Sequence, residues 1–286
     1  MEQIIANGLV LGLLYSLIAL GITLIFSIMG VLNFAHGQMY MLGGFVVYYF
    51  YGVKQYNFFL ALGLAALLLA AIGVVFDRFL FRRVLKMARR EEMAMLLAMG
   101  TALLLEEIAL LTFGEKSRGV PPVVEGVYQV FGMFLVKQRL FSIGIALVLI
   151  VALMIFVKKT KPGMAMRALA QDKEAAYLQG VNVHNISMLG WAIGAALAAL
   201  AGGLVAPILM VSSGSGGPIT LKTFLVMMIG GFGSVSGSIV GGLILGFFEA
   251  FGYALLPGTI TYLIIFCGVI LLLILRPQGI MGKPAG

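Results

Sequence analysis

Long apolar runs without charge constrain this chain more than any other feature. Phe58–Phe76 and Leu140–Val157 contain no charged residue, and each, as a helix, is long enough to cross about 30 Å of hydrocarbon. Only 10% of the residues are charged, against roughly 25% in a soluble domain. The chain therefore reads as an all-α, polytopic helical membrane protein. No soluble block or Pro/Ser-rich linker interrupts it, so residues 1–286 form one membrane domain.

About eight membrane elements are expected. Ile4–Ile28, Phe58–Leu80, Met93–Phe113, Leu140–Val157, Ile186–Val211 and Thr259–Leu275 read as spans, and Met39–Tyr51 as a further apolar stretch. Gly114–Arg139 and Ser212–Pro218 read as outer loops. Leu221–Ile229 is short for a span, so a re-entrant pair at Leu221–Tyr253 followed by one span is preferred, although three full spans satisfy the same charge parity. Gly8 and Gly12, and the series Gly190, Gly194, Ala198, Gly202, lie four apart, a spacing suited to close helix contact.

The net charge of +8 does not point to nucleic acid. Its densest clusters are Arg82, Arg83, Lys86, Arg89, Arg90 and Lys158, Lys159, Lys161, Arg167, Lys173, both beside spans. Two crossings separate them, so both fall on one side, as the positive-inside bias requires. The same counting places the amino terminus outside if the chain turns around at Asn33. Met1-Glu2-Gln3 has no basic region before its apolar stretch, unlike a cleaved signal peptide. The single Cys267 implies neither a disulfide framework nor a metal site.

Two polar, glycine-bearing interruptions resemble one another: Asn33–Gly43, with Asn33 as a candidate N-cap, and Gly230–Gly242. They suit either broken helices in the halves of an inverted repeat or plain loops between spans. Polar groups at membrane depth are costly and face a partner or a wet path. His36 therefore reads as either pathway lining or a structural hydrogen-bonding group. Glu249, among phenylalanines, reads as either a packing group or a substrate contact. Glu106 and Glu107 fall in the outer half of their span, and His184 in a solvated turn. The Gly233, Gly237, Gly241 series reads as backbone packing. No nucleophile motif, metal-ligand set or GxxxxGK[ST] loop is present, so the chain needs no cofactor of its own and any ATP must be bound by a partner.

Against this background Arg167–Gly180 stands out. It is polar and rich in Ala, Leu, Gln, Lys and Glu, which favours one solvated helix. Pro162-Gly163 is expected to break the chain before it, and Gly180 to end it.

Glu174-Ala-Ala-Tyr-Leu-Gln-Gly180 resembles the E-A-A-x-x-x-G signature of bacterial ABC importer permeases. The likeness to the branched-chain amino acid permease family runs further. It includes Asn7–Gly21, Asn33-Phe-Ala-His-Gly37 with Met41-Leu-Gly43, Arg167–Asp172, Gly230–Gly242 and Arg276-Pro-Gln-Gly279. The chain is similar to the shorter of the two permeases that such high-affinity importers pair.

The resemblance implies a multi-pass protein of the bacterial inner membrane that forms a heterodimer with a second permease subunit. Two cytoplasmic ABC ATPase subunits and a periplasmic amino-acid-binding protein would complete the importer. Arg167, Ala168, Asp172, Glu174, Ala175, Ala176 and Gly180, in a cytoplasmic coupling helix at 165–180, would dock on the ATPase. Asn33, His36, Gln38, Gly230, Gly231, Ser234, Ser236 and Glu249 would line the translocation pathway. The small-residue spans would supply the heterodimer contact, and lipid would surround the rest. The same machinery importing urea or short amides is the alternative. An intramembrane enzyme lacks a catalytic pair beside His36, and a passive channel leaves Glu174–Gly180 without a task.

Overall fold

The computed structural model describes residues 2–87, 92–130 and 133–282. Arg89 and Arg90, counted in the first basic cluster, lie outside the described residues. The helices are α1 (Glu2–Met29), α2 (His36–Val47, continued by a π-helical stretch to Val53) and α3 (Phe58–Val75, continued through a second π-helical stretch into α4, Arg82–Met87). They continue with α5 (Glu92–Phe113), α6 (Lys137–Lys159), α7 (Lys161–Gln171), α8 (Lys173–Leu178), α9 (Val183–Val205), α10 (Gly216–Gly230), α11 (Val235–Leu255) and α12 (Gly258–Leu275). Seven helices among the described residues are long and apolar enough to cross a membrane, beginning with α1, α3, α5, α6, α9, α11 and α12. The chain is a multi-pass membrane protein.

Its two halves are arranged upside down relative to one another. α1 ends where Lys173 Nζ donates to Met29 O at 2.8 Å, at the end of the molecule that carries the basic residues. The chain then turns back without helix, and α2 begins beside Ile18, whose carbonyl accepts from His36 Nε2 at 3.0 Å. At about 1.5 Å per residue, Ile18 sits roughly 16 Å above the basic end. α2 is thus a half-helix that starts at mid-depth and runs to the far end, where Tyr51 reaches the carbonyl of Pro122.

α9 repeats the pattern in reverse. It rises from the basic end, the chain turns back through Ala206–Ser215, and α10 starts at mid-depth and descends. The two half-helices begin back to back: Gly37 N–H donates to Thr220 Oγ1 at 3.1 Å, and a Cβ on Gly216 would collide with the Gln38 side chain. α1 and α9 cross at Gly21 and Gly194, where a Cβ on either would lie 2.7 Å from the other's carbonyl oxygen. The interruption at Asn33–Gly43 is therefore a broken helix, but its counterpart is Ala206–Ser215; Gly230–Gly242 is instead the turn that joins α10 to α11 at the basic end.

Small residues make this packing possible. Gly8 and Gly12 of α1 meet Phe247 and Leu243 of α11, while Gly242 and Gly246 meet Ser16 and Gly12 in return. On the other side of the crossing, Gly73 of α3 touches the Trp191 backbone, and Gly202 of α9 touches Tyr40 O. The expectation that these ridges supply a heterodimer contact gives way: they are consumed inside the chain, because a helix buried on all sides needs them to approach its neighbours.

Several local expectations also change. Asn33 does not cap α2; its Oδ1 accepts from Ala35 N–H at 3.0 Å and closes the turn that precedes the helix. Leu221–Ile229 is the lower part of a half-helix whose unwound entry descends from the far end. α11 then rises the full depth and α12 returns, giving three passages in place of a re-entrant pair and one span. Ser212–Pro218 is not an outer loop, since Ser213 and Gly216 are buried at mid-depth.

Within Gly114–Arg139 a two-stranded hairpin forms, β1 (Val127–Val130) against β2 (Met133–Val136), with Val127 opposite Val136. Its Phe134 N–H donates to Gln3 Oε1, which places the start of α1 at the far end, as the charge counting predicted.

After α12 the chain folds back along the α10–α11 turn. Ile280 and Met281 N–H donate to the carbonyls of Ile229 and Gly230 at 2.9 and 3.0 Å. Gly231 and Gly279 take φ of +107° and +74° where their backbones touch, a conformation and a clearance that only glycine combines. We expect Gly202→Val, which places its Cβ 1.9 Å from Tyr40 O, to destabilise the protein by about 1–3 kcal/mol. Gly63→Ala, facing open space, should leave the detergent-solubilised protein's thermal midpoint nearly unchanged.

Candidate functional site

Arg167–Gly180 is not one helix. Pro162 and Gly163 lie in the first turn of α7, where proline's missing N–H costs nothing, and Thr160 Oγ1 caps Gly163 N–H. The helix stops at Asp172, whose extended backbone starts α8 and whose Oδ1 accepts from Glu174 and Ala175 N–H at 2.9 and 3.0 Å. A side chain that competes this well for backbone donors restarts the helix at a new angle. Gly180 closes the elbow at φ +84°. Met166 and Leu169 bury one face of α7; Arg167, Glu174 and Ala175 are exposed, Ala168 is partly so, and Ala176 is buried.

The elbow borders a groove of about 760 Å³ at the basic end, lined among others by Arg167, Asp172, Lys173, Ser234, Ser236 and Met281. Ser27 Oγ donates to Gly233 O at 2.8 Å, tying the end of α1 to the glycine turn on the groove's other wall. Lys173 donates to the last carbonyl of α1, where a cation also complements the helix dipole.

The residues predicted for the pathway fall in three places. Asn33, His36 and Gln38 are fully buried at the half-helix junction. Gln38 Nε2 donates to Glu106 Oε2 at 3.0 Å, so Glu106 turns inward while Glu107 is exposed. Gly230, Gly231, Ser234 and Ser236 lie at the basic end; Gly230 packs on Gly237 and Ser234 Oγ caps α11 through Gly237 N–H. Glu249 stands apart from both sets.

Glu249 is the centre of a polar cluster that sequence reasoning did not assemble. Lys222 Nζ of α10 donates to its Oε1 at 2.5 Å, Tyr15 OH of α1 to its Oε2 at 2.5 Å, and Tyr253 OH to Oε1 at 2.8 Å. Tyr262 OH of α12 lies 3.4 Å away. One carboxylate thus joins four helices. A charge count held the signal: Lys222 is the only Lys or Arg between Lys173 and Arg276, and Glu249 the only acid after Glu174.

Asp77 was also missed. It is fully buried, accepts from Ser187 Oγ at 2.7 Å and pairs with Arg82 at 2.5 Å. Arg82 also reaches His184 O, locking the lower end of α3 to the start of α9.

A helical membrane chain with inverted halves, broken helices meeting at mid-depth and a solvated elbow at its basic end is built as a transport subunit. The match to protein families gives the particular kind. Residues 4–275 match the family described as branched-chain amino acid transport system / permease component, and the chain belongs to that family.

It is 30% identical over 296 residues to the high-affinity branched-chain amino acid transport system permease protein BraD of Pseudomonas aeruginosa, covering 99% of this chain and 96% of that protein. The permease protein LivH of Escherichia coli is 32% identical over 298 residues, covering 97% and 94%. A probable LivH of Methanocaldococcus jannaschii is 27% identical, covering 98% and 92%. No solved structure matches the chain.

Arg82→Met should destabilise the protein by about 3 kcal/mol or more, because it strands a fully buried carboxylate. Asp77→Asn should cost less, since Arg82 can still reach water and His184 O. Thermal unfolding of the two purified variants gives the order, which inverts if Asp77 is not the buried partner.

Proposed function

We propose that this chain is a permease subunit of an ABC importer in a bacterial inner membrane, moving branched-chain or related hydrophobic amino acids. In this reading the basic end faces the cytoplasm. A second permease completes the heterodimer, two ATPases bind all the ATP, and a periplasmic binding protein delivers the solute. The chain itself performs no catalysis.

One observation carries the reading: the elbow projects polar helix into water yet is mechanically joined to the most buried span. Glu174-Ala-Ala-Tyr-Leu-Gln-Gly180 forms its tip. Tyr177 and Leu178 there are 69% and 82% exposed, a surface suited to a groove on another protein. Lys173, between tip and α7, holds the end of α1. Closure of partner ATPases would displace the tip and, through Lys173 and the groove, bias α1 and the α10–α11 turn between two packings, a rigid-body switch. The sealed half-helix junction is then a pivot, and the path runs along the chain's outer face against the second permease.

The test is the purified importer reconstituted with its binding protein. Glu174→Lys or Gly180→Pro should lower ATPase co-purification and leucine uptake by at least about tenfold, the equivalent of about 1.4 kcal/mol of docking, with membrane insertion unaltered. Undiminished ATPase recovery with normal uptake would sink the coupling role. Uptake of urea or a short amide in place of leucine, with the matching binding protein, would reassign the solute and leave the mechanism standing.

A further inference from the structure

The ion pair between Lys222 and Glu249 is placed oddly for a purely internal tie. Glu249 lies about 20 Å above the basic end of α11 at about 1.5 Å per residue, near the middle of the membrane. The carboxylate is saturated: Lys222, Tyr15, Tyr253 and Tyr262 all donate to it. The ammonium is not. Of its three N–H groups, one goes to Glu249 and one to Tyr15 OH at 2.8 Å; among the described residues nothing takes the third.

The cluster also opens outward. The Lys222 side chain keeps 18% of its surface, against 2% for Glu249, and Tyr253 is 43% exposed. The rings of Tyr15 and Tyr262 flank the ammonium at 5.1 and 5.5 Å. A cation with a donor to spare at mid-depth is too costly to leave against acyl chains. The face formed by α10, α11 and α12 must therefore meet water or polar groups there. The start of α10 lies two turns away, and its amide dipole adds positive potential to the same region.

From this we infer that Lys222 is a binding residue of the translocation pathway: its unspent N–H meets the carboxylate of an amino acid in transit, while Glu249 and the tyrosines hold the ammonium in place. The inference rests on the amino-acid importer reading and adds to it a named contact and the face of the chain that lines the path. The site needs little affinity, since one charge-assisted hydrogen bond on a fixed ammonium lowers the barrier for a carboxylate without trapping it. The apolar side chain of the solute would run along Leu221 and the ring faces.

The experiment uses the assembled importer with its binding protein, and wild-type uptake of labelled leucine tests the underlying reading first. Lys222→Met and the charge-balanced pair Lys222→Met with Glu249→Gln are then compared. Both are expected to lose leucine uptake by at least about tenfold, to keep ATP hydrolysis stimulated by the loaded binding protein, and to be partly rescued by Lys222→Arg. Normal uptake by the balanced pair would assign Lys222 a packing role and overturn the inference, and so would loss of stimulated hydrolysis together with uptake.

Accessibility gives a reading that does not disturb the pair. Pro218 is exposed and lies four residues before Lys222, on the same face of α10. In a Cys267→Ala background, Pro218→Cys is expected to react with a charged, membrane-impermeant thiol reagent in the assembled importer, and leucine-loaded binding protein should alter the rate. No reaction would mean that lipid or a sealed protein contact covers this face, and the inference fails whatever the variants do.

Discussion

In hydrocarbon no water stands by to satisfy a backbone amide, and this governs how the chain can afford to break its helices. Each interruption at mid-depth frees peptide groups that would cost several kcal/mol apiece if left alone. The protein answers with side chains and neighbouring carbonyls. Asn33 Oδ1 takes the Ala35 N–H, Thr220 Oγ1 takes the Gly37 N–H, and His36 gives its Nε2 proton to Ile18 O. These polar residues look like a substrate path in sequence because they are polar within the membrane. In the fold they sit at the point where two half-helices start against each other: Asn33 Oδ1 and Thr220 Oγ1 take amides there, while Asn33 Nδ2, His36 Nδ1 and Gln38 Oε1 have no partner among the described residues.

The same economy explains the distribution of charge. Asp77 and Arg82, five residues apart on one continuous helix, tie that helix to α9 through Ser187 and His184, and Glu249 with Lys222 joins α11 to α10. Each carboxylate also collects hydroxyl donors, from Ser187 in one case and from tyrosines in the other. Neither pair is a cheap source of stability, since desolvation offsets most of the attraction. What they supply is register. A polar group inside an apolar bundle has few satisfactory partners, so the Lys222–Glu249 pair selects one packing of α10 on α11, and the bonds from Ser187 to Asp77 and from Arg82 to His184 O select one packing of α3 on α9.

Much of the architecture was legible beforehand. Uncharged runs located the spans, and basic clusters gave their sidedness, because length and charge are local properties of the sequence. Asn33–Gly43 reads as a candidate half-helix break, but its sequence likeness pairs it with Gly230–Gly242, whereas its structural counterpart is Ala206–Ser215. What was not legible depended on partners distant in the chain. Nothing local says that Gly194 meets Gly21, so glycine ridges that pack internally were assigned to a second subunit. Lys222 was passed over because a lone lysine beginning an apolar stretch has no visible partner until Glu249 arrives from another helix. Asp172 was local, and its capping oxygen still overrode a composition that favours one continuous helix.

The tail after α12 has a consequence of its own. By hydrogen bonding to Ile229 and Gly230, residues 280 and 281 clip the last membrane helix to the foot of α10, and Met281 forms part of the groove wall beneath the elbow. The final crossing therefore cannot drift sideways in the lipid while the glycine turn stays put. The foot of α10, the glycine turn and the end of α12 are thereby tied into one unit, and the same α10 carries Lys222 above it.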